Sequence, residues 1–314
     1  MVTGAAGFIG SHLAERLLAE ECSVIGVDCF TDYYDRALKE SNLASLVGRR
    51  GFELRAADLA SDAIEPLIQD ADFVFHQAGQ PGVRGSWGAS FASYAVNNIG
   101  ATQRLLESCV TSARLKRFVN ASSSSIYGDV KSLPTPEEAL PRPVSPYGVT
   151  KLAAEHLCRV YANAMAVPTV SLRYFTVYGP RQRPDMAFTR FCHAVLAGKP
   201  ISINGDGEQT RDFTYVDDIV DANMAAATAP GTAVVAHAYN LGGGTRVSMN
   251  EVLEMLFRVA GLRVPVRNVE QQPGDARHTA ADTRLAARDL GFEPKVGLED
   301  GLARQLAWAT AMRA

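Results

Sequence analysis

The 314-residue chain reads as an α/β protein: a doubly wound parallel sheet with helices on both faces, continued by a smaller C-terminal α/β lobe. Three observations lead there. Strand-length apolar runs alternate with amphipathic helical stretches through the first half. A glycine-rich turn opens the chain, followed by a helical pattern and a strand that closes on an aspartate. Past Gly179 the alternation gives way to shorter pieces separated by turns. A strand buried on both faces loses its polar alternation, so continuous apolar runs between helices predict a parallel sheet.

In order, "FIGSHLAERLLAE" (8–20) is the first helix and "SVIGV" (23–27) the strand after it. A polar loop leads into a helix in "DYYDRALKESNLASL" (32–46). "DFVFH" (72–76), "RFVNAS" (117–122) and "TVSLRYF" (169–175) are further buried strands, and "YGVTKLAAEHLCRVYANA" (147–164) is a long amphipathic helix. Helices are expected near 186–198, 216–228, 249–260 and 299–312, around a turn-rich "NGDGEQTRD" (204–212). The expected division is a sheet domain of 1–178 plus about 214–242, and a lobe of 179–213 and 243–314. The glycine turn at residue 4 leaves little room for a strand ahead of it, so residues are expected to precede Met1.

With 47% apolar residues the chain is long enough for a sizeable core. A net charge of −3 and a pI near 6.1 speak against a nucleic-acid surface. No apolar run approaches the roughly 20 residues of a membrane helix, and no secretory signal stands out, so a cytoplasmic location is expected. The cysteines (Cys22, Cys29, Cys109, Cys158, Cys192) are odd in number and lack metal or redox spacing, which suits reduced thiols. The histidines show no ligand spacing either, and His76 reads as a strand-end residue. No metal is expected.

"VTGAAGFIG" carries Gly4, Gly7 and Gly10. The first glycine allows a tight turn, the second a close backbone approach to a pyrophosphate, and the third close packing of helix on sheet. Phosphates then sit on a helix N-terminus. The strand that follows ends in Asp28, at the spacing a carboxylate needs to hold adenosine ribose hydroxyls. It would repel a 2′-phosphate, so the cofactor is read as NAD in a Rossmann-type domain. "SPYGVTK" places Tyr147 and Lys151 on one helix face. Such a pair is often no more than a helix face. With a dinucleotide site upstream it reads as catalytic, the cation and the nicotinamide charge drawing the phenol toward the working pH.

The Gly-x-x-Gly-x-x-Gly spacing resembles the extended branch of the short-chain dehydrogenase/reductases, the NAD-dependent epimerase/dehydratase family. That resemblance implies further cofactor contacts. Phe8 and Ile9 lie beside the glycines, and "AADLAS" places Asp58 and Leu59 at the adenine. "HQAGQPG" supplies Gln77, Ala78, Gly79 and Gln80 beneath the cofactor. Tyr174 joins them, and Asn97 in "YAVNNIGATQRLLE" stabilises the neighbouring backbone. Aligned on Tyr127-Gly128, the family's catalytic hydroxyl falls on Ser123 in "ASSSSIYGD", leaving Ser124 and Ser125 to the substrate. Dehydratases of this family carry Asp-Glu at those two positions, and sugar-acid decarboxylases usually keep the glutamate. Serine hydroxyls cannot replace that pair, which favours oxidation and re-reduction at one carbon.

Two further motifs, "DYYDRALKESNLASL" and "RYFTVYGPRQRPDMAF", resemble the UDP-glucuronic acid 4-epimerases. In that family the threonine and last arginine of the second motif hold the sugar carboxylate, here Thr176 and Arg183. A guanidinium fork and a hydroxyl suit that ligand. From the residues alone, pairing of Arg183 with Asp185 or Asp206 stays open, and Arg173 reads as a structural strand residue. By the same resemblance Arg211 reaches the diphosphate and Asp275 the uridine ribose. The family arginine three residues before Asp275 is replaced by Gln272, with Arg277 the residue that would compensate.

The resemblance therefore implies NAD-dependent 4-epimerisation of a UDP-sugar, UDP-glucuronate to UDP-galacturonate. The route is transient C4 oxidation, rotation of the 4-keto sugar and re-reduction, in a homodimer built from paired helices. Three other readings are weighed against it. A UDP-glucose 4-epimerase is opposed by Thr176 and Arg183. A UDP-glucuronate decarboxylase or nucleotide-sugar dehydratase is opposed by serines at 124 and 125. A non-enzymatic NAD-binding regulator is opposed by Tyr147, Lys151 and Ser123.

Overall fold

The computed structural model describes residues 1–130, 132–270, 274 and 276–313. Its strands, in chain order, are β1 (Val2–Thr3), β2 (Val24–Asp28), β3 (Phe52–Ala56), β4 (Phe73–His76), β5 (Arg117–Ser123), β6 (Thr169–Tyr174), β7 (Thr176–Tyr178), β8 (Ile201–Asn204), β9 (Thr210–Tyr215), β10 (Ala238–Leu241), β11 (Arg246–Ser248) and β12 (Val266–Val269). Seven of them form one sheet in the order β3-β2-β1-β4-β5-β6-β10, with every neighbouring pair parallel. A second sheet sets β9 between parallel β7 and antiparallel β11, and β8 pairs in parallel with β12.

Period-two geometry explains the continuous apolar runs. In β5, Phe118 joins a core with the Ala101–Val110 and Pro146–Met165 helices. Its neighbour Val119 joins the larger core on the opposite face, with the Phe8–Ala19 and Val216–Thr228 helices. Two strands of the large sheet escape the apolar-run reading. β3 lies at the edge, carries Glu53 and Arg55, and has no fully buried residue. β10 is buried over three residues, too short a run to stand out.

The glycine turn forms as expected. Gly4 has φ +67°, and a Cβ there would lie 2.8 Å from the Ala78 nitrogen. Gly7 caps the Phe8–Ala19 helix in an extended conformation. After Tyr174 the chain leaves the large sheet. Phe175 donates its N–H to the Leu241 carbonyl, and Thr176–Tyr178 pairs with Phe213–Tyr215 in the second sheet.

A buried ion pair locks the middle of the large sheet to the helix above it. The Arg173 guanidinium on β6 meets the Glu155 carboxylate of the Pro146–Met165 helix at 2.6 Å. The side chains are 8% and 10% exposed, so the pair is dry enough for an unpaired partner to be costly. Its remaining valences are used: Arg173 donates to the Glu137 carbonyl at 2.8 Å, and Ser122 donates to Glu155 at 2.6 Å. Arg173 is thus the structural strand residue expected. Glu155→Ala should cost about 3–5 kcal/mol, because it strands a buried guanidinium. The Arg173→Met/Glu155→Leu double variant should lose much less. Urea unfolding checks both, and equal losses in the two proteins would contradict the account.

Candidate active site

The strand order reverses between β1 and β4, and the crevice outside their carboxyl ends is where ligands bind in such sheets. Gly4, Gly7, Phe8, Ile9 and Gly10 line one side of a cleft there. The first turn of the Phe8–Ala19 helix carries no acidic residue, so its N–H groups and dipole are open to an anion. Asp28, at the end of β2, accepts from the Ala6 N–H at 3.0 Å and the Phe30 N–H at 2.8 Å. That fixes its carboxylate and leaves lone pairs for hydroxyl donors. Asp58 and Leu59 close the same end, and Gln77, Ala78, Gly79, Gln80, Asn97 and Tyr174 line the rest with Tyr147 and Lys151. This donor and acceptor set fits a dinucleotide.

A ring of hydrogen bonds positions Gln77. Tyr174 donates to its side-chain oxygen at 3.0 Å, and its own amide donates to Asn223 at 3.0 Å. His76 is a structural strand-end residue, bonded through both nitrogens to Thr3 and Thr102 at 2.9 Å, its pKa pushed down to about 3 by burial. Among the described residues no cluster has metal-ligand geometry.

One assignment needs correction. The side chain that braces the loop backbone is Asn98, not Asn97. Asn98 accepts from the Gln80 N–H at 2.6 Å, and its amide donates to the Gln80 carbonyl at 3.1 Å and to Thr150 at 2.9 Å. The helix is π-helical over Ala95–Gly100, and the wider turn rotates Asn98 inward while Asn97 lines the cleft.

Tyr147 and Lys151 share a face of the Pro146–Met165 helix, which begins at Ser145. The Ser145 hydroxyl accepts from the Gly148 N–H at 3.1 Å, and Pro146 takes the first helical position. Gly148 lets this helix come close to the serine loop, since a Cβ there would lie 2.5 Å from the Ser125 carbonyl oxygen. That approach sets the Tyr147 phenol near the Ser123 hydroxyl, which opposes the rise that burial imposes on it. The serines thus divide their work. Ser122 is committed to Glu155, and Ser123 serves Tyr147 and accepts from the Ser125 N–H at 3.1 Å. Ser124 and Ser125 form a 3-10 turn and do not line either of the two cavities described here.

The electrostatics differ from the expectation that Lys151 draws the phenol down. The Lys151 ammonium donates to the Ala121 carbonyl at 2.7 Å. Burial pushes the Tyr147 phenol above its ordinary value, opposed by the Ser123 hydrogen bond and the Arg183 charge. Burial pushes Lys151 down to about 8.

A second cavity adjoins the cleft. Its described lining includes Thr176, five arginines (Arg84, Arg183, Arg190, Arg211, Arg277) and one carboxylate, Asp185. So strong a cationic excess suits a multiply anionic ligand. Arg183 and Tyr33 line both cavities and stand at the seam. Arg183 is paired with Asp185, through Nε and Nη2 at 3.0 Å each. Arg181 pairs instead with Glu15 at 2.7 Å. Arg211 donates to the Arg277 carbonyl at 3.1 Å, and Arg277 meets Asp206 at 2.8 Å. Asp275 and Gln272 lie outside the described residues.

Sequence reasoning passed over Arg84, Arg190 and Lys39. Arg84 comes two residues after the Pro81–Gly82 turn of the cofactor loop, a usable signal. Lys39 is one charge among several in a polar helix. Only folding turns its ammonium onto Thr31 at 2.7 Å, against the wall of the first cleft.

The model of the NAD dependent epimerase/dehydratase family matches residues 1–242. The chain is 37% identical to the UDP-glucuronate 4-epimerase of Thermodesulfobacterium geofontis (strain OPF15), over 98% of this chain and 95% of that one. It is 41% identical to a Bacillus subtilis (strain 168) protein named "Uncharacterized UDP-glucose epimerase YtcB", over 99% and 98%. Among solved structures it is similar to UDP-glucuronic acid 4-epimerase from Bacillus cereus in complex with UDP-glucuronic acid and NAD, with a TM-score of 0.95 and 42% identity over 99% and 98% of the two chains.

The Lys151 geometry sets a pH dependence. Its folded-state value of about 8 lies below the unfolded 10.5, so the charged form costs folding free energy at neutral pH. That cost is relieved as pH rises from about 8 to 10.5. Wild-type protein should therefore gain stability relative to Lys151→Met between pH 7 and pH 10, read from denaturant midpoints. A constant difference across that range would contradict the assignment.

Proposed function

We propose that this chain, which belongs to the NAD dependent epimerase/dehydratase family, inverts a UDP-sugar at C4 with NAD as cofactor, and that UDP-glucuronate is its preferred substrate. The observation that carries the choice of sugar is Arg183, a guanidinium at the seam of the two cavities, in the same cleft as Tyr147 and with Thr176 in the adjoining cavity. A neutral hexose has no carboxylate for the guanidinium edge that Asp185 leaves open.

The residues then take the following roles. Gly4, Gly7 and Gly10 pass the pyrophosphate to the helix N-terminus, and Asp28 accepts from the adenosine ribose. Lys151 holds the nicotinamide ribose. Ser123 hydrogen-bonds the sugar 4-hydroxyl and Tyr147 takes its proton. NAD, when bound, supplies reversible oxidation of the sugar carbon and a positive charge beside the phenol. The 4-keto sugar turns within the site while Arg211 and Arg277 retain the UDP, and Tyr147 returns the proton on the opposite face. Ser123 and Arg183 oppose the rise that burial imposes on the phenol, so deprotonation awaits the cofactor's charge.

An acidic sugar adds a hazard. Its 4-keto form is a β-keto acid. Loss of CO₂ breaks the C5–carboxylate bond and leaves the electron pair on the ketone as an enolate, which a proton converts to a 4-keto pentose. This needs that bond parallel to the carbonyl π system. Thr176 and Arg183, by fixing the carboxylate, hold it out of that alignment.

The expected division is a cofactor domain of 1–178 with about 214–242, and a sugar lobe of 179–213 with 243–314. The same reading includes a cytoplasmic homodimer. Among the described residues no helix is long and apolar enough to cross a membrane, and Val149 and Val160 lie exposed on one stripe of the Pro146–Met165 helix, 47% and 57% accessible.

Incubation with UDP-glucuronate and NAD⁺ should give UDP-galacturonate with little UDP-pentose. Faster turnover of UDP-glucose, or UDP-pentose as the main product, would overturn the assignment. Tyr147→Phe should lower turnover by at least about 10²-fold with NAD still bound, and substantial residual epimerisation refutes its role. Arg183→Ala should raise the Michaelis constant for UDP-glucuronate and the share of UDP-pentose released, which chromatography of the products measures.

A further inference from the structure

Arg183 can offer a carboxylate two different edges, one made by Nε and Nη2 and the other by Nη1 and Nη2. Asp185 occupies the first, with both contacts at 3.0 Å. The second edge is left for a ligand. Asp185 is itself held: the Tyr33 hydroxyl donates to its Oδ2 at 3.3 Å, and the Arg183 guanidinium stands 6.0 Å from the Tyr33 ring centroid. Tyr33 is pinned in turn by the loop beneath the cofactor. Gly82 there has φ +100°, and a Cβ on it would come within 2.4 Å of the Tyr33 hydroxyl. Burial and the Asp185 charge push the Tyr33 phenol up to about 12, so it remains a donor across the working pH range.

We propose that Tyr33 and Asp185 are positioning residues for sugar specificity: together they aim the free Nη1/Nη2 edge of Arg183 at the sugar carboxylate. This rests on the preference for an acidic sugar proposed above. Two physical consequences follow. A fork held in one rotamer loses less freedom when the ligand arrives. The pair is also nearly neutral as a whole, so it selects a carboxylate by geometry more than by charge. Tyr33 comes from the segment between β2 and the Arg36–Asn42 helix, and Asp185 from the turn after β7. Recognition of the sugar thus depends on a residue from the cofactor side of the site.

The test compares kcat/KM for UDP-glucuronate and for UDP-glucose in wild type, Asp185→Asn and Tyr33→Phe, with the UDP-pentose fraction of each. The ratio of the two constants cancels any loss common to both sugars, such as weaker cofactor binding or partial unfolding. The acid-to-neutral ratio should fall about tenfold in Asp185→Asn and about threefold in Tyr33→Phe, as expected for losing a charged and a neutral hydrogen bond. The UDP-pentose fraction should rise in both. A ratio that stays constant overturns the proposal, and a ratio that rises shows Asp185 to be a competitor of the sugar instead. A wild type that does not prefer the acidic sugar overturns the functional reading itself, a separate result.

Discussion

The buried pair of Arg173 and Glu155 is the contact on which the geometry of the site depends. Tyr147, Lys151 and Glu155 follow one another at intervals of four on a single helix face, so the stripe that brings Tyr147 and Lys151 to the cleft is anchored at its far end. Arg173 ties that anchor to β6, and Ser122 ties it to β5. With Ser122 committed, the next residue along the strand is the one that reaches the phenol. A buried ion pair adds little net stability over an apolar contact of the same size. Its return, on our reading, is positional: it allows one register of helix on sheet, where a greasy contact tolerates sliding.

Around that anchor the same burial acts in opposite senses on two neighbouring groups. It raises the pKa of the Tyr147 phenol, whose charged form is an anion, and lowers that of the Lys151 ammonium, whose charged form is a cation. The phenol is thereby held neutral, while Lys151, at about 8, is still mostly an ammonium at neutral pH but closer to losing its proton. The site can then be switched by a charge that arrives with a ligand. Ser123 and Arg183 already lean toward the phenolate, and Arg183 does so from the seam it shares with the second cavity. On the reading proposed above, proton transfer and recognition of the sugar share one cation.

Much of this was legible in order along the chain. The glycine turn, the strand closing on Asp28 and the helix with Tyr147 and Lys151 are local patterns, each set by a few residues whose geometry is intrinsic: a positive φ at Gly4, a helix N-terminus after Gly7, a four-residue repeat. The long helices from 8, 147, 216, 249 and 299 lie within a residue or so of their expected bounds. What escaped was not local. β3 is polar because an edge strand has a wet side, and β10 is short because it only needs to pair with β6. The bracing asparagine shifted by one because a π-helical turn changes the register, and no side-chain pattern announces that turn.

By itself, then, the sequence determined the class of fold, the class of cofactor and the placing of Tyr147 and Lys151 on one helix face, since these rest on spacings of a few residues. Which partner each arginine takes was decided by the tertiary structure, although Asp185, two residues from Arg183, already stood open as one in the sequence. Arg173, Arg181 and Arg183 fall within eleven residues of one another and look alike in the chain. Folding gives the first a buried carboxylate from a helix, the second Glu15, and the third a neighbouring aspartate and a tyrosine from across the cleft. A charged side chain is specified by what the fold brings within a few ångströms of it, and contacts between residues 18 to 166 positions apart are set by packing, which no local pattern encodes.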